Sequence, residues 1–195
     1  MSYAAFELRL CIERLAFQYW VQLQRGSFDE EELLNDIRSF KRLEHKIYEL
    51  AGNQGVINRH FELVRTFYEE LQMPFPFATP HVGKLAKHWA ACSEYCHIGW
   101  SLLWEDEGVV ERALVELSEI SVYLDAQIEG LIGWPELPES KDDAKNEIIN
   151  GFVEGKVTKE ELRAFVRQQG LWAAVHYDDG RPSEFAGRAV PPKNG

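Results

Sequence analysis

The stretch VVERALVELSEISVYLDAQIEGLI, residues 109–132, decides how the chain is to be read. Its apolar residues Val110, Leu114, Leu117, Leu124, Ile128 and Leu131 fall at spacings of three, four and seven. That period places them on one side of an α-helix, whereas a half-buried strand would alternate. The reading is therefore a helix that buries this stripe and stops at Gly133, ahead of Trp134 and Pro135.

The same period runs back towards the N-terminus. A first helix is expected from about Tyr3 to Gln24, ending at Gly26. A second follows Ser27, whose hydroxyl can cap it together with Glu30, and runs to Gly52. A third spans about Val56 to Gln72 and is halted by MPFPFATP, in which Pro74, Pro76 and Pro80 cannot continue a helix. A fourth extends from about Val82 to Glu105.

Three of these helices carry one apolar stripe each. The second buries Leu33, Ile37, Phe40, Ile47 and Ala51; the third Ile57, Phe61, Val64, Tyr68 and Leu71; the fourth Leu85, Trp89, Cys92, Cys96, Trp100 and Leu103. The first is apolar on two sides, with Leu8, Ile12, Leu15, Tyr19 and Leu23 against Phe6, Leu10, Phe17 and Val21. A helix apolar on two sides must be covered on two sides, by its own bundle or by a second copy in a homodimer.

After LIGWPELPES the elements shorten. Helices at about Lys141 to Glu154 and Lys159 to Gln169 form a hairpin, the second capped by Thr158 with Glu161. The end of the chain holds an Asp179-Gly180 turn signal suited to a short strand pair. The expected fold is all-α: a bundle of five main helices over residues 1–133, with a small C-terminal helical hairpin and tail, residues 134–195, packed on it.

Composition narrows the function classes. The 195 residues include 21 Lys and Arg against 32 Asp and Glu, a formal charge of −11. Such a chain resists a phosphate backbone unless its few basic residues cluster, so no direct nucleic-acid partner is expected. No apolar run approaches a membrane span, and Glu7, Arg9, Glu13 and Arg14 occupy the place of a signal peptide's apolar core. With three cysteines and no pairing pattern, the chain reads as a cytoplasmic protein with no membrane partner.

Several constellations invite a chemical reading. His88, Cys92 and Cys96 follow one another at helical turns, as soft metal ligands would. The two cysteines also sit at the centre of an apolar stripe, where a free thiol packs as a small hydrophobe. Glu94 and His97 form a Glu-x-x-His pair that resembles the ligand motif of ferritin-like di-metal bundles, but a second pair is absent and Glu94 falls on the polar side of its helix. Arg38 and His45 match the loose Arg-to-His spacing of HEPN-type helical ribonucleases, a two-residue resemblance that a solvated helix face also explains. NGFVEGKVTKEEL resembles the second half of an EF-hand loop, with Gly155 at the turn and Glu161 at the last ligand position. Asn150 and Phe152 stand where early oxygen ligands belong, so a turn and a capped helix account for it better. No metal site and no cofactor is expected, and no catalytic residue is assigned.

Charge placement remains. Glu105, Asp106, Glu107, Glu111, Glu116, Glu119, Asp125 and Glu129 are opposed only by Arg112 in that segment, a net −7. The leading expectation is a non-enzymatic protein-binding module, an inhibitor or accessory subunit, that docks this acidic helical face on a basic, for example nucleic-acid-binding, protein. The alternative is a helical-bundle enzyme with an internal, metal-assisted or metal-free site around Glu44, His60 and His88, because Glu44 falls among apolar positions of its helix.

Overall fold

The computed structural model describes residues 2–24, 39–97, 107–130, 132–135, 143–169, 172–175 and 184–188. Among the described residues the regular structure is all-helical apart from one short ribbon. Among the described residues the helices are α1 (Ser2–Leu23), α2 (Phe40–Ala51), α3 (Gln54–Glu70), α4 (Val82–Cys96), α5 (Glu107–Glu129), α6 (Asp143–Val153) and α7 (Lys159–Gln169). Strands β1 (Trp172–Val175) and β2 (Glu184–Arg188) pair antiparallel, with a register shift between Ala173 and Ala174. The Asp179-Gly180 turn signal lies between them, outside the described residues.

Two helices are shorter than their periodicity predicts. The second does not run unbroken from Ser27, because Ser39 is extended (φ −144°, ψ 117°) and serves as the N-cap of α2. Ser27, Leu33 and Ile37 lie outside the described residues. The fourth ends at Cys96 with His97 as its C-cap, short of Glu105, and Trp100 and Leu103 also lie outside. A residue that leaves helical dihedrals ends a hydrogen-bond ladder whatever the hydropathy on either side.

The chain divides into two compact units, Met1–Gln54 with Phe77–Trp134, and Gly55–Pro76 with Pro135–Gly195. In the first, α1 packs against α4, α2 and α5, and its Ala5, Ile12, Leu15, Ala16, Tyr19 and Trp20 are buried. Polar contacts fix these helices as well. The Trp89 indole donates to Glu13 Oε1 at 2.7 Å, and Arg9 Nε donates to the same oxygen at 3.0 Å while its guanidinium lies 4.8 Å from the Trp89 ring. Phe40 stacks on that indole with centroids 5.4 Å apart, which brings α2 to the same junction. The Gln54 side chain donates to the Pro80 carbonyl and accepts from Val82 N–H, supplying α4 with the cap that its own N-cap, His81, does not provide. The second apolar side of α1 is only half covered: Phe6 is 47% exposed, and Leu10, Phe17 and Val21 are half-buried.

The largest difference from the periodic reading is in α5. Its buried residues are Ala113, Leu117, Ile120, Leu124 and Gln127, at spacings of four, three, four and three. Leu117 and Leu124 belong to the predicted stripe. Leu114 and Ile128 do not, being 52% and 50% exposed, and Val110 is half-buried; Leu131 lies outside the described residues. A helix with apolar residues around most of its circumference has no unique stripe, and its neighbours choose which arc is buried.

In the second unit, α3 keeps company with the hairpin. Leu63, Phe152, Leu162 and Val166 form a core, flanked by Phe67, Leu71, Ile149, Val153 and Val157. Above it runs a ladder of ion pairs: Lys159 donates to Glu62, Arg163 to Glu69 at 2.6 Å, and Arg167 to Glu70 through Nε at 2.6 Å and Nη2 at 2.9 Å. The three cations sit four residues apart on α7, one per turn. The Thr158–Glu161 cap forms as its spacing predicts: Thr158 N–H donates to the Glu161 carboxylate at 2.8 Å, and Glu161 N–H donates to the Thr158 hydroxyl at 3.2 Å. Just before it, α6 closes in a Schellman turn, with Lys156 N–H bonded to Gly151 O and Gly155 N–H to Phe152 O around the positive φ of Gly155 (79°).

Candidate functional site

The acidic segment is carried by α5. Glu105 and Asp106 lie outside the described residues and Glu107 opens the helix; Glu111, Glu116, Glu119, Asp125 and Glu129 follow along it, all exposed. Because the core arc is Ala113, Leu117, Ile120 and Leu124, the opposite arc is outward by helical geometry. Along it lie Glu111, Val115, Glu119, Val122, Asp125 and Glu129, at spacings of four, four, three, three and four. Acid and apolar side chains thus interleave on one exposed stripe. Val115 is 56% and Val122 66% exposed, and Leu114 and Ile128 flank them. The sequence signal for this surface was present in the charges but masked in the valines, which hydropathy assigns inward by default.

Glu116 stands apart from the others. The Tyr95 hydroxyl of α4 donates to its carboxylate, and that bond, with the negative charge behind it, pushes the phenol up to about 12. Glu116 therefore joins α4 to α5 and is committed within the unit.

The residues of the alternative site lie on three helices, α2, α3 and α4. Glu44, on α2, is half-buried, and burial raises its carboxyl above the ordinary range while Lys41 pulls it back. His60 belongs to the second unit, where Nε2 lies 2.9 Å from the Pro135 carbonyl oxygen and the ring meets Phe61 edge-on; burial holds its pKa below the ordinary histidine value. His88, on α4, lies with its ring 5.0 Å from that of Tyr123 on α5. Burial, then Lys84, lower its pKa, against the opposing pull of Glu116 and Glu119. Its Nε2 and the Tyr123 hydroxyl are buried with no hydrogen-bond partner among the described residues. Close by, the Tyr19 hydroxyl reaches Gln127 Oε1 at a long 3.5 Å, so a small polar patch is set inside the apolar core.

Cys92 is fully buried, and its thiol is pushed up to about 11 by burial first and by Cys96 and Glu116 after it. A thiol held so far from ionisation is a poor nucleophile at neutral pH. Among the described residues no three His, Cys, Asp or Glu side chains come together as a metal-holding group. Glu161, the last position of the EF-hand-like stretch, has its carboxylate engaged by Thr158.

Among the described residues no helix is long and apolar enough to cross a membrane. Comparison of the chain with known protein families, with curated proteins and with solved structures finds no match.

Proposed function

We propose that the protein is a non-enzymatic binding module, an inhibitor or accessory subunit, that docks the outer stripe of α5 on the basic surface of a protein partner in the cytoplasm. The observation that carries this reading is the interleaving of exposed Val115 and Val122 with Glu111, Glu119, Asp125 and Glu129. A purely solvated face needs no valines, and a face made for another apolar surface tolerates few carboxylates. Both together suit a partner that offers cations around apolar hollows: the charges steer encounter and select the partner, and the valines supply contact area.

A photo-crosslinking residue at position 122, compared with one at the exposed Gln168 of α7, tests the reading in the native cell. The expected result is capture of one basic protein from position 122 alone. With that protein purified, Glu119→Lys with Asp125→Lys should slow association and flatten its salt dependence, while Val122→Asp should speed dissociation. Equal capture from both positions, or unchanged binding by both variants, removes α5 as the recognition surface. Glu116 is unsuited to this test because its replacement also breaks the bond to Tyr95.

A further inference from the structure

We infer that the outer face of α1 is a self-association surface, on which α1 of a second copy of this chain lies antiparallel, about a two-fold axis between Leu10 and Cys11. Tyr3, Leu10 and Phe17 recur every seven residues, and Glu7, Arg14 and Val21 recur every seven between them. The six therefore alternate at spacings of four and three, the seam by which one helix pairs with another, here about 27 Å long. It lies across the helix from Ala5, Ile12 and Tyr19, which are buried and themselves seven apart. Tyr3 is 76% exposed, Glu7 and Arg14 are exposed, and Leu10, Phe17 and Val21 are half-buried, so the seam opens outward.

Charge decides both the occupant and its direction. Of the four charges on α1, Arg9 and Glu13 are committed to each other and to Trp89. Glu7, which the Tyr3 hydroxyl hydrogen-bonds, and Arg14 stand two turns apart, about 10.5 Å along the axis, too far to pair with each other. In a parallel pair Glu7 would face Glu7 and Arg14 would face Arg14. The antiparallel pair sets Glu7 of each copy against Arg14 of the other, twice by symmetry, so the face is complementary to itself. An apolar hollow of about 240 Å³ adjoins the seam between α1 and α2, lined by Leu10, Phe17, Phe40 and Leu43 with Glu13 and Arg14. Phe6, 47% exposed, leaves α1 on the same flank as Glu13, and the two-fold keeps that flank of both copies on one side of the pair. Phe6 of the second copy then comes level with position 15, between Arg14 and Phe17, where the hollow can receive its ring. A seam on one helix is a small interface, below about 1,200 Å² in total, so the dimer should be reversible and of micromolar affinity.

The test measures the mass of the full chain by sedimentation equilibrium across the micromolar range. The parent is expected to pass reversibly from monomer to dimer. Glu7→Arg and Arg14→Glu should each weaken the dimer about tenfold or more, because each sets like charges together in both contacts. Mixing the two variants in equal amounts should restore dimers, since unlike charges then meet again in both contacts, and that restoration also shows that both variants fold. Lys87→Glu on α4 should leave the dimer unchanged. The inference is overturned if the parent stays monomeric throughout the range, if the single reversals associate as the parent does, or if their mixture stays monomeric. None of these outcomes depends on the reading of α5.

Discussion

Glu13 Oε1 of α1 accepts the indole N–H of Trp89 on α4 at 2.7 Å, and the same oxygen accepts Arg9 Nε at 3.0 Å. One carboxylate on the first helix therefore sets the position of the aromatic ring against which Phe40 of α2 stacks. In the sequence, Glu13 is one of four charges on α1, with Glu7, Arg9 and Arg14, and nothing local distinguishes it.

Replacement of Glu13 should show how much of the first unit depends on that junction. Glu13→Ala leaves a half-buried indole N–H and a guanidinium without their acceptor, and a loss of about 1–3 kcal/mol is expected in urea unfolding. Glu13→Gln keeps an acceptor oxygen and should lose less. Equal losses would mean that charge rather than the indole bond matters.

The arc of α5 that is buried can be read by truncation. Ile120→Ala, at a fully buried position, should cost about 2–4 kcal/mol, whereas Leu114→Ala, at a position 52% exposed, should cost under about 0.5 kcal/mol. The reverse order would restore the stripe that periodicity alone suggests.

Gln72 closes α3 in a left-handed conformation, φ 58°, with Met73 N–H bonded to Tyr68 O and Gln72 N–H to Glu69 O. This is the same turn that Gly155 makes at the end of α6, occupied by a residue with a Cβ. Gln72→Gly should therefore stabilise the protein, by roughly 0.5–1 kcal/mol after the greater chain entropy of glycine is counted. A destabilised variant would show that the Gln72 side chain makes an offsetting contact.

Acid should weaken the fold partly through His88. Burial and Lys84 hold its folded pKa below the ordinary 6.5, with Glu116 and Glu119 opposing from α5 and Tyr123 packed against the ring. Below about pH 6.5 the unfolded chain takes up the proton first, so stability falls until the folded ring titrates as well; above that pH the residue contributes nothing to the slope. His60 and His81, lowered mainly by burial, act in the same direction. Melting temperature between pH 7 and pH 5 should fall more steeply in the parent than in His88→Gln, and identical slopes would assign the acid sensitivity elsewhere.

What the sequence determined by itself is what depends on neighbours a turn away. The helical period, the proline stop after α3 and the Thr158–Glu161 cap each need only residues within a few positions, and each is present where the spacing places it. Tertiary structure decided what depends on residues far along the chain. It set the buried arc of α5, since Leu114 and Ile120 are equally apolar and only the packing of α1 and α4 distinguishes them. It committed Glu116 to Tyr95, it left Val115 and Val122 outside among the carboxylates, and it grouped α3 with the hairpin rather than with the first two helices. Hydropathy reports how strongly a side chain avoids water; which side chains are covered follows from the shapes that meet, and those are set by the whole chain.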